Sequence, residues 1–229
     1  MKSTVSVSKR RSIRRYKVPG TTVALLTQTS KMPGPSWSIP AHRACPRANG
    51  DICKDCYAGK NCYQFATTQH AQEVRFVWTR DCMRTADGRE LWVRTLAAAI
   101  AGESYFRWFD SGDAFSPASI ECIYQVCALL PNTKFWIPSR AWQQPSGPLP
   151  VFDPILNTLR KLAALPNVTV RPSALNFGDA APVVSGLHAG SASEYANAHQ
   201  CPAPMQDGNC GDCRHCWDAK DSPVSYARH

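Results

Sequence analysis

The chain has 229 residues, of which 44% are hydrophobic and 19% charged, with a formal net charge of +9 and eleven cysteines. That balance excludes a disordered chain and is enough for one domain with a sizeable core. No apolar run approaches the roughly 20 residues that span a bilayer, and an odd cysteine count cannot be used up by a complete disulfide framework. The first eight residues lack the apolar run of a signal peptide, so the expected location is cytoplasmic, with no membrane partner and with reduced thiols. Metal ligation is then the natural use for so many cysteines.

The positive charge is concentrated at the start. Lys2, Lys9, Arg10, Arg11, Arg14, Arg15 and Lys17 carry it, with no acidic residue among the first seventeen. The stretch Lys9–Lys17 reads either as a solvated arm or as a contact for nucleic acid or a host protein. Residues 29–62 are rich in Pro, Gly, Ser and Cys. Prolines 33, 35 and 40 exclude a regular helix there, and the segment is expected to be a loop that something must order.

From about Thr68 the pattern becomes helical. Val74, Val77, Trp78 and Cys82 share one spacing, and Leu91, Val93, Leu96 and Ile100 mark a second helix. Tyr105–Asp110 alternates as a buried strand, ending at Ser111-Gly112-Asp113. Ser116-Pro117 caps a helix bearing Ile120, Ile123, Cys127 and Leu130, stopped at Pro131-Asn132 before a strand at 134–138. Asp153-Pro154 caps the next helix, with Ile155, Leu156, Leu159 and Leu162, and Val168–Pro172 is a further strand. Strands alternating with helices predict an α/β fold, either a partial (β/α) barrel or an open parallel sheet. Ligands in such folds sit beyond the carboxyl ends of the strands. Asp110, Ser111, Gly112, Asp113, Ser139, Arg140, Ser173 and Asn176 fall there. Residues 178–200 read as a flexible connection that brings the tail back over the domain. Cys82, Cys122 and Cys127 sit in helical patterns as small core residues.

Two cysteine sets remain. Near the end, Cys201 precedes Cys210-x-x-Cys213-x-x-Cys216-Trp217, whose even spacing wraps a short loop around a compact cluster. A tetrahedral zinc staple is the alternative. Upstream stand Cys45, Cys53 and Cys56, with Cys62 within reach as a fourth ligand or a spare thiol. Three ligands on a four-iron cluster leave one iron open for a substrate or cofactor, whereas four close it. The two sets hold one 4Fe-4S cluster each, or converge on a shared one. The chain thus divides into a basic arm and lead-in over 1–28, a single α/β iron–sulfur domain over 29–217 with cysteine loops 45–62 and 201–216, and a C-terminal tail over 218–229.

With these residues in view, the chain resembles the gene-88-like proteins of mycobacteriophages and related phages. The resemblance rests on Ser30–Trp37, Cys45-Pro46, Cys53-x-x-Cys56-Tyr57-Ala58, Phe106–Asp113 and the C-terminal cysteine run. It implies an iron–sulfur protein of phage origin, working in the cytoplasm of an infected host, and no established reaction. The chain is more distantly similar to radical S-adenosylmethionine enzymes, which carry a three-cysteine loop ahead of a partial α/β barrel. That similarity implies S-adenosylmethionine at the cluster, with Asp113 near its amine and Arg107 or Arg140 near its carboxylate. It also implies an electron donor as partner. Seven residues between Cys45 and Cys53, where that superfamily usually has three, depart from its pattern. Three functions follow as expectations: a radical enzyme, a non-enzymatic iron–sulfur protein that binds nucleic acid or a host factor, and a zinc-stapled structural protein.

Overall fold

The computed structural model describes residues 15–143 and 153–228, so most of the basic arm, and any contact it makes with nucleic acid, lies outside the described residues. Four strands, β1 (Ser36–Ser38), β2 (Tyr105–Ser111), β3 (Lys134–Ser139) and β4 (Val168–Pro172), form a parallel sheet in the order β1-β2-β3-β4. Ser36 pairs with Arg107, Phe106 with Phe135 and Trp136 with Thr169. Among the described residues the sheet is open and no barrel closes.

Because the order is sequential, right-handed crossovers carry every connecting helix to the same face. Following the short helix α1 (Gly50–Lys54), the helices α2 (Ala66–Cys82) and α3 (Ala86–Ile100) lead into β2. The helix α4 (Pro117–Leu129) leads into β3, and α5 (Pro154–Ala163) into β4. Both predicted Ser/Asp-Pro starts are real: Ser116 Oγ accepts from Ser119 N at 3.2 Å and Asp153 Oδ1 from Leu156 N at 3.0 Å. Between sheet and helices lies the main core, with Phe106, Trp108, Phe135 and Val170 against Leu96, Ile123 and Leu159. Cys82, Cys122 and Cys127 are buried within it. The lead-in adds Val18 and Leu25, both fully buried.

Alternate residues point to the opposite face, and the C-terminal segment covers them. This segment carries a small parallel sheet of β5 (Ser191–Ser193), β6 (His199–Gln200) and β7 (Val224–Tyr226) in the order β5-β7-β6, and the turn of helix α6 (His215–Asp218) packed on β3 and β4. Trp217 and Trp136 form a second buried cluster with Met32, joined by Tyr105 and Tyr226. Arg171 on β4 is fully buried and donates to the carbonyls of Ala189, His215, Cys216, Ala219 and Ser222.

Three expectations change. The proline-rich loop contains β1, which escapes an alternation reading because Ser36, Trp37 and Ser38 are all buried. The supposed flexible connection contains both β5 and β6. At Gly190 a Cβ would come within 2.5 Å of Pro182 O and 2.8 Å of Pro172 O, so a bare glycine lets the chain lie against the main sheet, where Ser191 bridges to Ser173. The buried face of α2 is also rotated from the predicted one: Gln72, Arg75, Phe76 and Thr79 are buried beside Cys82. Gln72 Nε2 donates to Ser38 Oγ at 2.9 Å and Arg75 Nε to Ala24 O at 3.0 Å. Polar partners on β1 and in the lead-in therefore outweigh the apolar stripe.

Candidate functional site

Beyond β1 the chain turns through His42, whose φ is 61°, so that Cys45 N reaches His42 O at 3.2 Å. Asn49 Oδ1 caps α1 by accepting from Gly50 N at 2.8 Å. Gly50 has φ +77°, and a Cβ there would lie 2.4 Å from Leu175 O, so only glycine fits. The loop is pinned to the strand ends at several points. Asp113 N donates to Ala44 O at 3.1 Å, Ile52 N to Leu175 O at 3.0 Å, and Asp51 N to Asn176 Oδ1 at 3.1 Å. Arg47 makes a two-pronged ion pair with Asp153, 2.6 and 2.9 Å, and a further bond of 2.7 Å to Ala141 O. The loop therefore caps the carboxyl ends of β2, β3 and β4.

This brings Cys45, Cys53 and Cys56 into mutual electrostatic range, beside Asp113 and Arg140. Burial, then the Asp113 charge, pushes the Cys45 thiol up to about 12. Burial also raises Cys53, against the pull of the Arg140 guanidinium. Cys62 is exposed on the next turn, Asn61–Gln64. The Asp113 carboxylate accepts from Ser139 Oγ at 2.7 Å, Arg140 N at 2.8 Å and Ala114 N at 2.7 Å, which fixes the turn after β3. Gly112, φ +83°, passes so close to Ile39 that a Cβ would sit 2.4 Å from its Cγ1. Asp110 and Ser111 are buried, with Asp110 Oδ1 and Ser111 Oγ lacking partners among the described residues.

Arg107 lies on the tail-covered face of β2, beneath the other predicted residues. Its guanidinium donates 2.9 Å to Tyr57 Oη and stands 4.5 Å above the Trp136 ring. The Tyr57 hydroxyl in turn donates to Asp110 O. Burial opposes the Arg107 charge, but the surrounding Tyr57, Asp110, Tyr63 and Tyr226 outweigh it and hold the group protonated.

The C-terminal thiols gather on the covered face of the sheet. Cys210 N donates to Lys31 O and Cys201 N to Ser225 O, each at 2.8 Å, and Cys213 N closes the turn on Cys210 O at 3.0 Å. Cys216 interacts with Cys201 and Cys210, and Cys210 with Cys201 and Cys213. Burial pushes Cys216 up to about 11, although Tyr226 Oη lies 3.2 Å from its Sγ. His199 Nε2 is 3.6 Å from Cys213 Sγ, and the His199 ring stacks on His215 with centroids 3.9 Å apart. The cysteines thus form two groups, one at the strand ends and one against Met32, Trp136 and Trp217. Tyr57, Trp136, Tyr226 and His199 were not singled out by spacing. For Tyr57 and Trp217, an aromatic residue directly after a set's last cysteine was the available signal.

The donors are of the type that iron–sulfur clusters use, three thiols in one group and four in the other, each group held by the backbone of a short loop. Among the described residues no group of three or more His, Cys, Asp and Glu side chains is arranged to hold a metal ion. Among the same residues no helix is long and apolar enough to cross a membrane. In comparisons with known proteins, the family model described as gene product 88 matches residues 9–219. No curated protein and no solved structure matches the chain.

Proposed function

The chain belongs to the gene product 88 family, a phage-type family, and from that premise we propose that it is an iron–sulfur protein with one cluster at each cysteine group, built on a scaffold like that of radical S-adenosylmethionine enzymes. One observation carries this reading. The fold gathers Cys45, Cys53 and Cys56 at the carboxyl edge of a sequentially wound parallel sheet, where α/β folds bind their ligands. Bound there, such a cluster would supply one-electron chemistry and, at an iron without a protein ligand, a docking point for a cofactor.

In this reading the chain's own residues divide the work. Cys45, Cys53 and Cys56 ligate, and Arg140 offers a guanidinium beside Cys53 for an anionic group of the ligand. Asp113 holds Ala114, Ser139 and Arg140 in place through its three hydrogen bonds. The tail half-buries the second group. Raised thiol pKa values mean that loading releases protons.

The test is anaerobic purification with counts of iron, acid-labile sulfide and zinc per chain. Brown protein with about eight irons is expected, falling to about four in Cys53→Ser/Cys56→Ser. Colourless protein that holds zinc and no labile sulfide would overturn the reading. Equilibrium dialysis of the loaded chain against S-adenosylmethionine, with Arg140→Met as control, tests the cofactor separately.

A further inference from the structure

The turn after β4, residues 173–177, runs alongside the loop that bears the upstream thiols. Ile52 N donates to Leu175 O at 3.0 Å and Asp51 N to Asn176 Oδ1 at 3.1 Å. Two arginines hold the same turn, one towards each end. Arg140 Nε donates to Ala174 O at 2.9 Å, and the Arg228 guanidinium lies 4.2 Å over the Phe177 ring. No more than about 10 Å of chain separates the two grips. Each arginine also faces the cysteine loop. Arg140 is the positive charge that acts on Cys53, and Arg228 stands 3.8 Å from Asp55 Oδ2, two residues further on. Loop and turn thus form the walls of one slot, with a guanidinium at either end of it.

Neither charge is consumed by the acids nearby. Asp55 is already paired with Lys60, and at 3.8 Å Arg228 is beyond hydrogen-bond reach of it. The Asp113 carboxylate is engaged by Ser139 Oγ, Arg140 N and Ala114 N rather than by the Arg140 guanidinium. Among the described residues, the terminal nitrogens of both arginines make no hydrogen bond. A guanidinium fork matches the two oxygens of a carboxylate or phosphate. We infer that the slot between the upstream cysteine loop and the 173–177 turn is an anion-binding site, in which Arg140 and Arg228 clasp the carboxylate or phosphate group of a small-molecule ligand. This rests on the strand-end site of the proposed function and gives that site a ligand class, without calling on a metal. Arg228, more than half exposed, draws the anion to the rim. Arg140, half-buried and less screened, makes the stronger contact.

The experiment titrates the full chain with inorganic phosphate and, separately, with succinate in an isothermal calorimeter at low ionic strength. At least one of the two should bind at a single site. Phosphate alone assigns a phosphate-bearing ligand, succinate alone a carboxylate, and both the chemistry they share. Arg140→Met should weaken binding about tenfold, as expected for the loss of a charged hydrogen-bonding partner, and Arg228→Met several-fold. Arg94→Met removes the same charge from an exposed position on α3 and should change nothing. Arg228→Met, itself at an exposed position, keeps the test decisive should Arg140→Met not fold. Binding of neither anion, or an equal loss in Arg94→Met, overturns the inference. Iron and sulfide counts on the same preparations keep the two questions apart. A chain without iron that binds the anion removes the iron–sulfur reading and leaves this site standing, whereas a brown chain that ignores both anions does the reverse.

Discussion

Single side chains show how differently similar residues are used. Arg171 is a structural arginine whose fork reaches five carbonyls of the tail. Arg171→Met should cost about 3 kcal/mol or more, because it leaves buried carbonyls unpaired. Arg171→Lys should not restore the loss, since an ammonium cannot reproduce the planar fork. The urea midpoint measures both. The cysteines separate in the same way. Cys127→Ser, in the core, should lower stability and leave iron content unchanged, whereas Cys213→Ser should lose iron with little change in the apo chain's melting. His188 offers a pH test: burial, then Lys220, lowers its pKa to about 4, and its Nδ1 accepts from Val170 N at 3.0 Å. The folded state therefore resists protonation, and stability should fall as pH drops from the ordinary value of 6.5 towards 4. In His188→Asn that slope should flatten in a pH series of thermal melts. The cysteine spacing and the Ser-Gly-Asp turn were legible because covalent neighbours carry them. Arg171 and Tyr226 were not, because their partners lie 18–51 and 10 residues away and only the folded tail brings them together.

At the level of elements, the joint between the N-terminal cysteine loop and α5 deserves a direct test. Asp153 both caps α5 and pairs with Arg47. Burial works against its ionised form, but the Arg47 and backbone hydrogen bonds outweigh burial and hold its pKa below the usual carboxylate value. The pair thus contributes above about pH 4 and is lost as pH falls through the lower folded value. Asp153→Asn keeps a capping side chain and drops the ion pair. Its stability should vary less than wild type between about pH 2 and pH 5, and iron retention at neutral pH should fall with it. The strands and helices from α3 to β4 could be read from period and caps, since each packs one apolar face, whereas α2 could be placed but its buried face could not, being largely polar. The strand β1 could not. Three residues buried on both sides, two of them serines, carry no alternation, and what makes them a strand is the pairing with Arg107 and Ser111 far along the chain.

On the scale of the whole molecule, sequential strand order fixed by right-handed crossovers leaves one sheet face to the helices and the other free, and the C-terminal segment takes that free face. The α/β class and the return of the tail follow from the sequence. The identity of the face it covers does not, because Trp136 and Trp217 are 81 residues apart and neither stands in a pattern that names the other. A chain ending at residue 198 keeps all four main strands and should fold to a looser, aggregation-prone state with Tyr105 and Trp136 wetted, visible as red-shifted tryptophan emission.

The placement of Trp217 has a consequence for how the protein is made. Its indole nitrogen bonds to Phe106 O at 2.9 Å, 111 residues earlier, so β2 waits for a much later part of the chain before its outer surface is sealed. A growing polypeptide emerging from the ribosome would present the upstream thiols first, with that side still open. Cys45, Cys53 and Cys56 are thus synthesised well before the segment around Trp217 can close that surface.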